Sequence, residues 1–235
     1  MNKNVFFEDL GLIEYKKCWQ YQETLFKKIL EKKSENRKNN TQKKTENYLL
    51  FCEHPHVYTL GKSGDKKHLL LNRNQLKKND ADFYKINRGG DITYHGPGQL
   101  VGYPILDLDN FFSDIGKYLR FLEEAIILTL KDYGLTGMRS SGETGVWIDA
   151  GTKEARKICA IGVKSSRWVT MHGFAFNIKT DLTYFNNIIP CGIYDKTVTS
   201  MEKELSKKVD FNEVKNKVKS HLITLFKIKL AYKPK

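Results

Sequence analysis

Three segments of the chain carry apolar residues at helical spacing. This spacing predicts helices over residues 14–30 and 115–133, and a last helix that begins near residue 210. Gly134 supplies a C-terminal stop for the second helix. Asp210 is a candidate N-cap for the last one, with Glu213 three residues further on.

Between these helices lie short runs of apolar, β-branched and aromatic residues that are typical of strands. The predicted strands are residues 48–52, 57–60, 100–105, 145–149, 158–163 and 168–178. In the last run, Phe174 and Phe176 fall on one face, and Ala175 and Asn177 on the other. Residues 164–167 are predicted to form a hairpin turn.

The order of these elements limits the fold class. Strands cluster between helices without a regular βαβ alternation, which indicates an α+β or mixed α/β fold with helices packed on a sheet. Neither an internal repeat nor a dividing linker is visible, so we expect a single domain over residues 1–235.

Composition and charge narrow the class of protein. With 40% hydrophobic and 29% charged residues, the chain has enough apolar surface for a core, which argues against a disordered or collagen-like chain. The net charge of +13 would suit either nucleic acid or an acidic protein partner. Much of the excess lies in residues 27–47, which contain no aromatic residue. We therefore interpret residues 31–46 as a basic solvated loop or insertion, and we expect no nucleic-acid partner.

The cellular compartment is predicted from what the sequence lacks. No apolar run approaches the ~18 residues that a membrane span needs, and the first residues do not form the apolar core of a signal peptide. The four cysteines, Cys18, Cys52, Cys159 and Cys191, include no CxxC pair. We expect reduced thiols and a cytoplasmic protein.

The most unusual segment is residues 88–99, with the sequence RGGDITYHGPGQ. Glycines let a backbone approach a ligand closely and leave N–H groups to point at it. The pattern is neither GxGxxG nor GxxxxGK[ST], so it is not a generic nucleotide-binding loop. A ligand-binding wall is the favoured interpretation, and a tight turn with exposed polar side chains is the alternative.

Two further segments contain candidate catalytic residues. Cys191 lies between a proline and a glycine, on a turned backbone that could present its sulfur to a cleft. A buried small hydrophobe is the alternative, and Cys18 and Cys159 fit it. Lys157 enters an otherwise apolar strand, either to reach solvent or as a partly desolvated amine for proton transfer or thiolate stabilisation. His172 is a possible base.

A metal site was also considered. Cys52, His54 and His56 would lie on one face of an extended strand. Pro55 interrupts that strand, and no fourth ligand has a suggestive spacing. We therefore expect no metal site.

Together these segments resemble the octanoyltransferases of lipoate biosynthesis, which move an octanoyl group from acyl carrier protein to lipoyl domains. The signature R-G-G-x-x-T-aromatic-H followed by G-P-G-Q is present at residues 88–99. The K-x-x-x-x-G strand at Lys157, the H-G-F-A strand at His172 and the P-C-G turn at Cys191 follow in family order. Residues 53–61 and 140–147 agree as well. The resemblance spans roughly residues 10–205.

The resemblance implies a fold similar to that of biotin and lipoate protein ligases, with a mixed and mainly antiparallel sheet and packed helices. It makes Cys191 the acyl-bearing nucleophile and Lys157 its acid/base partner. The substrate-binding residues that it implies are Arg88, Gly89, Gly90, Asp91, Ile92, Thr93, Tyr94, His95, Ala160, Ile161, Gly162, Gly173, Phe174 and Ala175.

The same resemblance implies the partners. They are octanoyl-acyl carrier protein as donor, and the lipoyl domains of 2-oxoacid dehydrogenase E2 subunits and the glycine cleavage H protein as acceptors, with no cofactor. The chemistry is self-consistent, because a thiolate can attack a thioester and pass the acyl group to an amine. Whether His95 or His172 shares the proton transfer is left open.

Two other functions remain to be distinguished. An ATP-dependent lipoate- or biotin-protein ligase would activate its acid as an adenylate and needs no cysteine nucleophile. Its glycine segment usually continues with an acidic residue after the histidine, whereas Gly96, Pro97 and Gly98 follow His95 here. A basic nucleic-acid-binding protein would leave all of these motifs unexplained.

Overall fold

A large mixed sheet forms the centre of the molecule. The computed structural model describes residues 1–189 and 197–231. The strands of the nine-stranded sheet are β1 (Asn4–Leu12), β2 (Tyr48–Glu53), β6 (Gln99–Ile105), β7 (Met138–Ser140), β8 (Glu143–Ile148), β9 (Arg156–Ser166), β10 (Val169–Asn177), β11 (Thr197–Val198) and β12 (Lys229–Ala231). Their order is β12-β1-β2-β6-β10-β9-β8-β7, and β11 pairs with β9.

Within the described residues, a second, three-stranded sheet and five α-helices accompany the large sheet. The small sheet contains β3 (Val57–Leu60), β4 (Asp82–Lys85) and β5 (Ile92–His95), in the order β4-β3-β5. The α-helices are α1 (Tyr15–Lys38), α2 (Arg73–Lys78), α3 (Ile115–Asp132), α4 (Met201–Leu205) and α5 (Phe211–Phe226). No helix in residues 1–189 or 197–231 is long and apolar enough to cross a membrane.

Strand directions confirm the predicted mixed, mainly antiparallel sheet. β1 runs parallel to β2 and β12, and β11 runs parallel to β9. The pairs β2–β6, β6–β10, β10–β9, β9–β8 and β8–β7 are antiparallel. The hairpin turn lies at Arg167 and Trp168, whose φ angles are +50° and +66°, because Ser166 already pairs with Val169. It therefore lies further along the chain than the predicted turn, and it has the two positive φ angles of a type I′ turn.

Helices cover both faces of the large sheet. Phe174 and Phe176 of β10 pack in one core cluster with residues of α3 and α5, such as Leu122 and Val218. Ala175, which points the other way, belongs to a second cluster with residues of α1. The predicted alternation along β10 is thus confirmed, and it explains why this strand is buried on both faces.

The predicted helix ends are correct in two cases and wrong in one. α3 ends at Asp132, followed by Gly134 at φ +77°, and the Asp210 side chain accepts hydrogen bonds from the first backbone N–H groups of α5. α1, however, runs on to Lys38, so the first half of the basic stretch 31–46 is helical rather than a loop. The Lys33 ammonium pairs there with the carboxylates of Asp107 and Asp109. These ion pairs attach the end of the helix to the loop that follows β6.

The small sheet is the feature that positions the glycine-rich segment. β5 lies inside that segment, and its partner β3 precedes it in sequence. The backbone N–H of Gly89, just before β5, donates a 2.9 Å hydrogen bond to the carbonyl of Val163 on β9. This bond joins the small sheet to the large one at the mouth of a cavity.

Candidate active site

A cavity of about 370 Å³ lies where the glycine-rich segment meets β9 and β10. Most of the predicted site residues line it, namely Arg88, Gly89, Gly90, Asp91, Ile92, Thr93, His95, Lys157, Ala160, Ile161, Gly162, Gly173, Phe174 and Ala175. Cys191 lies outside the described residues. The three sequence segments that carry these residues therefore share one cavity, as the interpretation of a ligand-binding wall requires.

Glycines, which have no side chain, allow the walls of the cavity to approach each other closely. A Cβ on Gly162 would lie 2.9 Å from the Gly89 carbonyl oxygen, and a Cβ on Gly173 would lie 2.1 Å from that of Gly102. Such distances are shorter than atoms tolerate, so a larger residue would push the strands or the glycine-rich segment apart. Backbone therefore forms much of the wall, and its polar groups can reach a ligand.

The Arg88 side chain stabilises the glycine-rich segment through hydrogen bonds to backbone carbonyls. Its guanidinium donates hydrogen bonds to the Thr59 carbonyl at 2.7 Å and to the Gly89 carbonyl at 3.0 Å. The Arg88 side chain is buried while it lines the cavity. These bonds fasten the segment to β3, and Gly90 then turns with a φ of +87°, a conformation that glycine adopts without strain.

Tyr94 is the one predicted substrate-binding residue among the described residues that does not line the cavity. Its hydroxyl lies 2.7 Å from Nδ1 of His56, and its ring stacks on Tyr184 at 5.0 Å. Side chains alternate along a strand, so Tyr94 points away while Thr93 and His95 face the cavity. Tyr94 therefore lies outside the cavity lining, and its ring packs within the small sheet.

Lys157 lies on β9 at the edge of the cavity. Its Nζ is 3.8 Å from a carboxylate oxygen of Glu143 and 4.6 Å from the centroid of the Trp147 ring. The side chain is 21% exposed. A carboxylate and an aromatic face both favour a cation at this position.

The chain on either side of Cys191 also reaches this cavity. Phe185 precedes the cysteine, Val198 follows it, and both line the cavity. Val198 is in register with Lys157, because β11 pairs in parallel with β9. One residue before Cys191 and one after it, each several positions away in the sequence, thus border the same space as the lysine.

His95 and His172 line the cavity as neutral rings. Burial lowers the pKa of each to about 3. His95 Nδ1 donates to Gln99 Oε1 at 2.8 Å, whereas neither ring nitrogen of His172 has a hydrogen-bond partner among the described residues. His172 also has a φ of +63°, which costs energy in a residue other than glycine. Such weak bases are poor proton acceptors at neutral pH, so Lys157 is favoured for that role.

Tyr15 and Tyr103 are among the wall residues that the sequence did not predict. Tyr15, at the start of α1, stacks on His95 with ring centroids 5.9 Å apart, and Tyr103 of β6 lies beside it. Both had the spacing of core residues. Only the glycine-rich segment carried a signal that could have located this part of the wall.

The low pKa of His95 predicts that the protein loses stability in mild acid. An unfolded histidine titrates near 6.5 and the folded His95 near 3, so between these values the unfolded chain binds the extra proton. The stabilisation is present above pH 6.5 and is lost as the pH falls toward 3. Between pH 7 and pH 5 we expect His95 alone to reduce the free energy of unfolding by about 2 kcal/mol.

Urea unfolding of the wild type and of His95→Gln at both pH values measures this contribution. The decrease between pH 7 and pH 5 should be smaller in His95→Gln by about 2 kcal/mol. His221→Gln is the matched control, because that ring lies at the surface, 2.8 Å from Asp132. Equal decreases in wild type and His95→Gln would show that His95 is not held neutral by the fold.

Comparison with known proteins identifies the family of this chain. The family model of the lipoyl protein ligase A/B catalytic domain matches residues 14–223. An octanoyltransferase of Christiangramia forsetii is 61% identical over 233 residues, which cover 99% of this chain and 100% of that protein. An octanoyltransferase of Flavobacterium johnsoniae is 63% identical over 232 residues, which cover 98% of this chain and 100% of that protein.

The solved structures agree on the fold. A bi-partite lipoate protein ligase from Thermoplasma acidophilum superposes with a TM-score of 0.69 at 18% identity, covering 99% of this chain and 87% of that one. At this identity the likeness concerns the fold alone, and it confirms the predicted lipoate protein ligase-like architecture. The two octanoyltransferases, being similar over their whole length, confirm the resemblance drawn from the motifs. The chain therefore belongs to the lipoyl protein ligase A/B catalytic domain family, on its octanoyltransferase branch.

Proposed function

We propose that this octanoyltransferase takes an octanoyl group from acyl carrier protein, holds it as a thioester on Cys191, and delivers it to the acceptor lysine of a lipoyl domain. One observation carries the proposal. Lys157 and the glycine-rich wall border a single cavity with Phe185 and Val198, which lie before and after Cys191 in the sequence. Its volume of about 370 Å³ lies in the range of small-molecule sites.

The first half-reaction loads the enzyme. The Cys191 thiolate attacks the carbonyl carbon of the donor thioester, and the new sulfur–carbon bond forms as the bond to the carrier's sulfur breaks. The Lys157 ammonium stabilises the attacking thiolate and gives a proton to the departing sulfur. Backbone N–H groups of the glycine-rich walls are suited to stabilise the oxyanion that forms between these events.

The second half-reaction discharges the enzyme. The amine of the acceptor lysine attacks the acyl-cysteine, an amide bond forms, and Cys191 leaves as the thiolate. Lys157, which lost its proton during loading, accepts the proton that the attacking amine must shed. A thioester is already activated, so neither step needs a nucleotide or a metal.

The cavity walls suit an acyl chain. Val101, Ile161 and Phe174 are apolar and line the cavity beside the glycine backbone. Apolar walls with a few placed polar groups are the usual design of a site for such a ligand. We place the octanoyl chain against these residues, with its carbonyl toward Lys157.

We propose acidic protein partners for both steps. The donor is octanoyl-acyl carrier protein, and the acceptors are the lipoyl domains of 2-oxoacid dehydrogenase E2 subunits and the glycine cleavage H protein. A net charge of +13 would steer acidic domains toward the enzyme. The reaction belongs in the cytoplasm, where the reducing environment keeps Cys191 a free thiol.

Nucleotide-free transfer tests the proposal. After mixing with octanoyl-acyl carrier protein, the intact mass of the protein should rise by one octanoyl group, because the thioester donor already supplies an activated acyl group. Addition of an apo lipoyl domain should return the mass to its starting value. If transfer depended strictly on ATP and Mg²⁺, with free octanoate as donor, the ligase alternative would replace this proposal.

A further inference from the structure

Two cysteines and a histidine meet in the core beside the cavity. Cys18 lies on α1, Cys52 near the end of β2, and His54 follows that strand. All three are buried, and their ligand atoms lie within 4.8 Å of one another. No role in the proposed acyl transfer uses them. His56, which the sequence grouped with Cys52 and His54, contacts Tyr94 instead.

The protonation of His54 is fixed by its surroundings. Nδ1 lies 2.7 Å from the backbone carbonyl of Ile13, which can only accept a hydrogen bond, so Nδ1 carries the proton. Nε2 is thereby left with a lone pair, and it lies 2.8 Å from the Tyr103 hydroxyl and 3.5 Å from the Cys52 sulfur. Histidines that bind metals in proteins are usually oriented by this kind of bond.

The Cys52–His54 spacing fits a tetrahedral ion. A zinc ion with Zn–S bonds of about 2.3 Å and a Zn–N bond of about 2.0–2.1 Å separates sulfur and nitrogen by about 3.6 Å. The Cys52–His54 distance of 3.5 Å already matches this value. The Tyr103 hydroxyl lies 2.8 Å from His54 Nε2, close enough to reach the same ion.

A further contact places an N–H donor beside the Cys18 sulfur. The Gln22 amide donates to the Cys18 sulfur at 3.9 Å, while its carbonyl oxygen accepts a hydrogen bond from the backbone N–H of His172 at 3.2 Å. The second bond fixes the orientation of the amide, so that its N–H faces the sulfur. An N–H donor of this kind stabilises a metal-bound thiolate.

We propose that Cys18, Cys52 and His54 bind one zinc ion, with Tyr103 completing the tetrahedron. Two thiolates balance the charge of Zn²⁺, so the loaded site is neutral, as its burial requires. The ion would fasten α1 to the large sheet one helical turn after Tyr15, which stacks on His95 in the cavity wall. The site is therefore structural, and it is independent of the proposed acyl transfer. It departs from the sequence-based expectation of no metal.

Cobalt titration of the metal-free, full-length protein tests this site. One equivalent of Co²⁺ should produce the charge-transfer absorption of thiolate-bound tetrahedral cobalt and release about two protons per ion, because both thiols ionise on binding. Equimolar Zn²⁺ should displace the cobalt and raise the melting temperature.

Variants locate the site. Cys18→Ser and Cys52→Ser should each lose the charge-transfer absorption and the zinc-dependent rise in melting temperature. Cys159→Ser, which alters another buried cysteine outside the cluster, should keep both. If a variant fails to fold, the wild-type titration still decides the matter, because a wild type without thiolate-to-cobalt absorption refutes the site.

Two further results would overturn the proposal. One is an absorption that survives both Cys18→Ser and Cys52→Ser, which would place the metal elsewhere. The other is a Cys18–Cys52 disulfide in protein purified without oxidant, which would make the cluster a redox pair instead.

Discussion

Cys191→Ala is expected to abolish the acyl-enzyme, leaving the intact mass unchanged after mixing with octanoyl-acyl carrier protein. Without the sulfur, the donor thioester meets no nucleophile in the cavity, and kcat/KM should fall by about 10³-fold or more. Cys191→Ser should fail similarly, since a hydroxyl is far less ionised than a thiol and forms an ester rather than a thioester. Mass spectrometry of the protein, with and without prior alkylation, gives the answer directly.

Cys159→Ala is the matched control. Cys159 lies on β9 near the cavity wall, and burial raises the pKa of its thiol, so it should be inert toward both iodoacetamide and the donor. The control variant should load octanoate as the wild type does. If Cys191→Ala still gained an octanoyl group, another residue would be the acyl carrier and the proposed mechanism would be wrong.

The elements that the sequence predicts correctly are those that bury a regular apolar pattern. β3 matches its predicted bounds, α3 ends just before the predicted stop at Gly134, and α5 begins after the predicted N-cap Asp210. The small sheet as a unit was not predicted. β4 is partly exposed and begins and ends with charged residues. β5 lies within the glycine-rich segment, which does not have a typical strand pattern. Its strands are defined by pairing with one another, which no local pattern reveals.

The residues of the candidate site also differ in whether the sequence alone could identify them. Chemically unusual residues, such as the glycines of residues 88–99 and Lys157 in an apolar strand, could be singled out from the sequence, and the structure gathers them around one cavity. Tyr15 could not, because an aromatic residue on a helical stripe is indistinguishable from core. Cys18 was interpreted as core for the same reason. Its proximity to Cys52 arises only when α1 packs on the sheet.

The position of Tyr94 was predictable in principle. Once residues 92–95 are recognised as a strand, alternation places Thr93 and His95 on one face and Tyr94 on the other. The prediction of a continuous wall over residues 88–95 ignores this alternation. Recognising the strand inside a glycine-rich segment would have corrected this assignment.

Lys157→Met is expected to slow both half-reactions and to raise the pH at which Cys191 is alkylated. An unaided cysteine has a pKa of about 8.5 and is only a few per cent thiolate at neutral pH. A cation within about 4–6 Å stabilises the thiolate and lowers that pKa by roughly 1–3 units. Loss of the ammonium should therefore move the alkylation midpoint upward by about that amount.

Lys157→Arg separates charge from proton transfer. A guanidinium keeps the positive charge, so alkylation of Cys191 should stay closer to that of the wild type. It does not release a proton at physiological pH, however, so transfer to the lipoyl domain should remain slow. An arginine variant that is impaired in the second half-reaction more than in alkylation would assign the proton transfer to Lys157 itself.

The decisive measurement is the rate of iodoacetamide alkylation at Cys191 against pH, in wild type, Lys157→Met and Lys164→Met. Lys164 is the matched control, because it lies on the same strand with its ammonium over the Phe26 ring, at 5.1 Å from the centroid. Its loss should leave the curve unchanged.

If the curves of wild type and Lys157→Met overlay, Lys157 does not activate the thiol. The proton acceptor must then be found among the other cavity residues, where His172 offers two ring nitrogens without partners among the described residues but a pKa of about 3. Because so weak a base could accept a proton only at the cost of a slow reaction, the overlay would also predict a low turnover.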